Sequence, residues 1–314
     1  MTTAEQQVID SAVHTLRPDA DLVSAVRRRE RFTVRTQDAS GGQIGEGCPA
    51  GAFDLAGAFP VVGPIRVEGV HAGDLVGIHL HRLEPAARWG HTWTRPGLGV
   101  GVGVDFHVRR LTASRPVIDW CPSGQEIALE ARPHVGTIGM LPAVATEPRT
   151  LGTYGGNLDF AGFGPGATIW LTAQVEGGGL FVGDVHAAIG DAEVCGTGIE
   201  IAAVADLEVV GVGTPTYGLP VVTTADRAWL IGVGDTFDDA LAVAVDECVQ
   251  RFAAAESVSV PDAYLAVGLL LDVTVCQMVN PRRSVAVTLR SGMDRILRPH
   301  LAAPLSEEEK GSST

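Results

Sequence analysis

The sequence has no surplus of positive charge. Its 23 Lys and Arg face 37 Asp and Glu, for a formal net charge of −14. A nucleic-acid partner is therefore excluded, because binding to phosphates is driven by a basic excess that displaces counterions. The acidity itself reads as solubility rather than as a sign of a cationic substrate. There is no Cys-x-x-Cys pair either. Cys48, Cys121, Cys195, Cys248 and Cys276 are odd in number and far apart, which argues against a disulfide framework and for a reducing, cytoplasmic setting. Every apolar run is interrupted by Asp, Gly or Pro well short of membrane-spanning length. Met1 to Thr15 lack the apolar core of a signal peptide. No internal repeat is visible. The expectation is a cytoplasmic protein with neither nucleic acid nor membrane as partner.

What is present is an ordinary globular composition. The 314 residues are 46% hydrophobic and 19% charged, enough for one large or two medium domains. After a polar start with a weak helical pattern near residues 20–27, Arg31 to Thr36 alternate with a period of two, as a half-buried strand does. The turn-rich run Asp38-Ala-Ser-Gly-Gly-Gln43 follows, in which Asp38 suits an Asx-turn. Gly63 to His81 reads as two strands about a Gly/Asp turn, with His79 and His81 on one face. Residues 89–107 are glycine-rich, but no helix pattern follows them. A phosphate-cradling reading fails, and a loop that lines or covers a pocket is preferred. Segments 116–130 and 133–142 are further strands. Residues 166–175 and 179–184 flank a Glu-Gly-Gly hairpin, and Ile199 to Val210 form another long strand. This succession of short strands predicts a mainly β fold, a β-sandwich or barrel-like body over residues 1–215.

Past that point the texture changes, and residues 216–305 predict a small C-terminal α/β part. Arg227 to Gly234 reads as a buried strand. Thr236 or Asp235 caps an amphipathic helix. A second helix opens at Pro261 and runs through the apolar stretch to Val279. Arg283 to Leu289 is a last strand, and the tail 306–314 is expected to be disordered. Cys248 and Cys276 are read as small buried apolar groups.

Chemistry concentrates in residues 183–196, GDVHAAIGDAEVCG. Asp184, His186, Asp191, Glu193 and Cys195 fall within a few residues of one another among Gly and Ala. Such groups bind divalent metals, move protons or act as nucleophiles. Small residues between them permit close approach. If Asp184 and His186 share a strand, their spacing of two puts both on one face.

Together with Gly155-Gly-Asn-Leu-Asp159, Arg95-Pro-Gly-Leu-Gly99, Asp38 to Gln43 and Gly63 to Asp74, this run resembles the acetamidase/formamidase family. The resemblance covers most of the chain and implies hydrolysis of short-chain amides to ammonia and a carboxylic acid. It also implies a mainly β fold with a small α/β part, oligomers (often dimers), and zinc or calcium as the associated ion, with no organic cofactor. Family members usually carry Gln where Ile189 stands and Gly where Ala192 stands, and His134 occupies a position more often aromatic or Pro.

An amide needs an activated nucleophile, a stabilised oxyanion and a proton for departing ammonia. The leading assignment has Asp159, Asp184 and His186 as metal ligands and Glu193 as general base and then acid. His186 has a share in catalysis, and Asp38, Gln43 and Asn157 contact substrate. A second assignment makes Cys195 the nucleophile, activated by Glu193 or His186. A third is a catalytically silent protein that binds a small molecule in the same pocket.

Overall fold

The computed structural model describes residues 6–45, 53–114, 116–121, 124–125, 127–214 and 218–299, apart from the side chain of Leu55. Cys48, His300 and the tail from residue 306 lie outside the described residues.

Period-two alternation builds two large sheets. Residues Ala203–Gly213 bury every second side chain, from Ala203 through Ala205, Leu207 and Val209. Strands of this kind assemble into a nine-stranded sheet. The second large sheet has ten strands and contains four that position the site: β1 (Trp89–Thr94), β2 (His134–Gly139), β3 (Leu180–His186) and β4 (Glu200–Ile201). β2 and β3 are buried at every position, as expected of strands covered on both faces. The aliphatic core lies between the sheets, with Phe32, Ile78, Leu80, Ile169, Leu171 and Leu207 meeting Ile138, Val182, Val185 and Ile201.

The chain passes repeatedly from one sheet to the other. Residues 199–210, expected as a single strand, divide at Ala202: β4 joins the ten-stranded sheet, and Ala203–Gly213 join the nine-stranded one. The expected hairpin about Glu176 is a crossover as well, because Thr168–Thr172 and β3 pair in different sheets. Gly177, Gly178 and Gly179 all adopt left-handed φ there, which suits glycine in a sharp change of direction.

The C-terminal segment adds four strands to one side of the nine-stranded sheet and carries helices α1 (Phe237–Glu256) and α2 (Val260–Leu270). α1 starts in a capping box, in which Thr236 Oγ1 accepts from Asp239 N and the Asp239 carboxylate accepts from Thr236 N. It lies so close to Ala228–Gly234 that a Cβ on Gly232 would fall 2.1 Å from Ala240 O. Cys248 and Cys276 are buried, as expected.

Two helical expectations are corrected. Near residue 20 the chain forms the short strand Ser24–Val26, paired parallel with Ile65–Val67. The second helix stops at Leu270, and Leu271–Gln277 (β5) is a strand. The β-branched Val273, Thr274 and Val275 favour an extended backbone, and pairing of β5 with Arg283–Leu289 decides the matter. β5 is the last strand of its sheet. The outer face of α2 leaves Val260, Tyr264, Leu265 and Leu269 exposed.

Thr236→Ala removes the side-chain half of the capping box and leaves the backbone N–H of residue 236 to donate to Asp239. We expect it to lower unfolding free energy by about 1 kcal/mol, measured by urea titration.

Candidate active site

Strand register puts four polar side chains in a row across the ten-stranded sheet. His134 of β2 pairs with His186 of β3, His186 with Glu200 of β4, and Glu200 with His91 of β1. Directly paired residues project from the same face, so the row is continuous. Asp184, two residues before His186, adds a carboxylate at its side, with Oδ1 3.5 Å from His186 Nε2.

Two turns bring further carboxylates over this row. Asp159 follows the strand Gly155–Asn157, and Glu193 ends the 3-10 turn Asp191–Glu193. That turn is anchored by the chain after β5, where Met278 N donates to Ala192 O at 3.1 Å. Asp159, Asp184 and Glu193 have φ of 50°, 51° and 48°. Left-handed backbone costs a non-glycine residue about 1–3 kcal/mol, so all three carboxylates are held in strained conformations. Gly136 makes room for them. A Cβ there would lie 2.6 Å from Asp159 Oδ1, 2.8 Å from Asp184 O and 2.9 Å from His186 Cε1.

Hydrogen bonds fix one side of Asp159, His186 and Glu200 and leave the other bare. Asp159 Oδ2 accepts from Asn157 Nδ2 at 3.0 Å and from Asn280 Nδ2 at 2.9 Å. Thr137 donates to Asn157 Oδ1 and, at 3.4 Å, to Asp184 Oδ2. Glu200 Oε1 accepts from Gly198 N at 2.8 Å. His186 Nδ1 lies 3.1 Å from His134 Nε2, and His134 Nδ1 lies 2.9 Å from Arg132 O. Asp159 Oδ1, His186 Nε2, Glu193 Oε2 and Glu200 Oε2 are buried with no hydrogen-bond partner among the described residues. Glu200 Oε2 approaches His186 Nε2 to 3.2 Å, without hydrogen-bond alignment.

So much buried charge displaces every protonation equilibrium. Burial, then the charge of Asp184, pushes Asp159 up to about 7. Burial pushes Glu200 up to about 8, against the pull of His186. Burial and Asp159 hold Glu193 well above the usual carboxylate range. Burial would raise Asp184, but His186 outweighs it and keeps Asp184 low. Burial would lower His186, but Glu200 and Asp184 overcome it and raise the imidazole well above its ordinary value. His134, buried and beside His186, is pushed down to about 3. One imidazole among four carboxylates is a donor set that suits a divalent cation. Two groups have this capacity, Asp159–Asp184–His186 and His186–Glu193–Glu200, each with donor atoms within 4.8 Å of one another.

The expected ligands Asp159, Asp184 and His186 thus converge with Glu193. Asn157 joins them, with both ends of its amide engaged. Cys195 stands apart at the surface, its Sγ donating to Thr197 O at 3.2 Å. Asp38 accepts from the backbone of Ser40 and Gly42 in its own turn, and Gln43 ties Ser40 O to Asp54. Neither contacts the cluster. His79 and His81 bond to Thr168 and Glu208. The glycine-rich loop packs on the turn that carries Glu193, with Val100 N donating to Val194 O at 2.7 Å. Sequence reasoning missed Glu200, Thr137, Asn280 and the part played by His134. Glu200 carried a signal, an acid between Ile199 and Ile201. Asn280 carried none.

A two-sheet β fold with a buried carboxylate–imidazole centre thus defines the class of protein. The profile of the Acetamidase/Formamidase family matches residues 2–150 and 143–214, and the chain belongs to that family. A formamidase of Methylophilus methylotrophus is 25% identical, over 74% of this chain and 74% of its own length. An acetamidase of Mycolicibacterium smegmatis is 25% identical, over 71% and 74% respectively. The crystal structure of an acetamidase from Bacillus halodurans superposes with a TM-score of 0.83 at 25% identity, covering 89% of this chain and 96% of that one.

Two outcomes follow from the geometry. Gly136→Ala drives a methyl into Asp159, and we expect it to weaken any divalent-metal binding at the cluster about tenfold or more, read by chelator competition. The second concerns pH. Asp159 and Glu200 titrate near 7 and 8 in the folded chain against 3.8 and 4.5 ordinarily. The stability they contribute is whole below about pH 4 and is lost as pH rises through those folded values. Metal-free protein should therefore melt lower at about pH 8.5 than at about pH 6, and zinc should narrow the gap, because it binds the ionised carboxylates. Calorimetric melts at both pH values, with and without zinc, check this.

Proposed function

We propose that this chain is an amide hydrolase that releases ammonia from a short-chain aliphatic amide, with formamide and acetamide as the first substrates to test. The observation that carries the metal-assisted form of this reading is the set of four buried, unpartnered donor atoms around His186. Asp159, Asp184 and His186 are the proposed ligands of a divalent ion, zinc first and calcium second. Such an ion supplies a Lewis acid that polarises the carbonyl and eases deprotonation of water.

Glu193 takes the remaining work. Its turn places it against Asp159, and burial keeps its proton affinity high, which suits a group that accepts a proton from water and returns it to the departing nitrogen. Asn157 and Asn280 hold Asp159 in place through its Oδ2. The side chains of Asp38 and Gln43 are committed to their own loop, so a substrate role for them would pass through the shape of that loop.

We extend the reading to a cytoplasmic homodimer. The four exposed apolar side chains of α2, and the position of β5 as the last strand of its sheet among the described residues, support a second copy packing on this part of the chain. No helix among the described residues is long and apolar enough to cross a membrane.

The test pairs metal analysis of the purified protein with ammonia release from formamide and acetamide. Turnover should disappear on chelation and return with added zinc, while Glu193→Gln should lower kcat by about 10²-fold or more and still bind zinc. Cys195→Ala should remain active. Loss of turnover in Cys195→Ala with metal retained would move the nucleophile's role to the thiol. Full activity in metal-free protein would overturn the metal reading, and zinc binding without hydrolysis of either amide would favour a binding protein.

A further inference from the structure

We propose that His134 is a positioning residue that holds the proton of His186 on Nδ1, so that the Nε2 lone pair is the one available to the carboxylate cluster and to a metal.

The argument follows a chain of three groups. Arg132 O is a backbone carbonyl and only accepts, so the His134 Nδ1 at 2.9 Å carries a hydrogen. His134 is fully buried with no carboxylate bonded to its ring, and a neutral imidazole with hydrogen on Nδ1 has a lone pair on Nε2. That lone pair faces His186 Nδ1 at 3.1 Å. The only arrangement that satisfies both rings has His186 Nδ1–H donating and His134 Nε2 accepting. His186 Nε2 is then the atom turned towards Glu200 and Asp184, at 3.2 and 3.5 Å; it is the ring nitrogen without a hydrogen-bond partner, in the residue that both metal-capable groups share. The paired register of β2 and β3 sets the two imidazoles edge to face, with centroids 5.0 Å apart. An aliphatic or phenyl side chain at 134 would fill the space but offer no acceptor. Outer partners of this kind fix which nitrogen of a ligand histidine binds.

The inference rests on the metal reading for its consequence but not for its test. Selective 15N labelling of histidine, with long-range 1H–15N correlation, reports directly whether His186 Nδ1 is protonated. We expect a protonated-type signal at Nδ1 with an unprotonated-type signal at Nε2 in metal-free protein at a pH high enough for the ring to be neutral, and a protonated-type signal at Nδ1 in the zinc-loaded protein. An unprotonated Nδ1 in either form overturns the proposal, and so does zinc bound through Nδ1. His134→Phe should weaken zinc binding about 10- to 100-fold, and His134→Gln, whose amide oxygen replaces the acceptor, should recover most of that loss. Equal zinc affinity in folded His134→Phe and wild type also overturns it. If zinc does not bind at all, the metal reading fails, and the tautomer of the neutral His186 ring in metal-free protein, compared between wild type and His134→Phe at a pH high enough to deprotonate it, still decides the role of His134.

Discussion

Four carboxyl groups and one imidazole are buried side by side, and the rest of the molecule is arranged around what that costs. Isolated buried charges are among the least favourable things a fold can contain. The protein answers in two ways: the proton affinities of Asp159, Glu193, Glu200 and His186 are raised, and Asn157, Asn280, Thr137 and Gly198 supply donors to single oxygens. None of these answers uses the second oxygen of Asp159, Glu193 or Glu200. A doubly charged ion would, and this is why the centre reads as a receptor for one rather than as an ordinary buried network.

The rigid part of the site and its strained part have different origins. The row from His134 to His91 comes from strand pairing, the most strongly specified feature of a buried sheet. The carboxylates that close over it sit on left-handed residues in turns, conformations that persist only where the surroundings enforce them. The enforcing contacts come from distant sequence: Asn280 and Met278 from beyond β5, and Val100 from the glycine-rich loop. The C-terminal segment, which contributes none of the proposed metal ligands, thereby holds the geometry of the site.

Much of this was legible in the sequence. The mainly β character followed from period-two patterning, and the strand pair Asp184–His186 from its spacing. The run 183–196 concentrated acids among small residues, and the GGNLD run placed Asp159. What was illegible depended on pairing. His134 and Glu200 reach the site only because register puts them beside His186, and no local pattern reports the register between separate strands. The apolar stretch after Pro261 misled for a similar reason, because Leu271 to Gln277 is extended through its partner strand rather than its own periodicity. Asp38 and Gln43 attracted a functional reading as polar residues in a turn, yet their side chains serve the turn itself.

Because side chains alternate along a strand, a slip of one residue in β2, β3 or β4 would turn its polar member of the row to the opposite face. A cation that requires His186 and its neighbouring carboxylates together would bind only the aligned sheet. Mass action would then draw misaligned chains towards the native pairing, so that the ion acts as a proofreader of strand alignment during folding, before it meets any substrate.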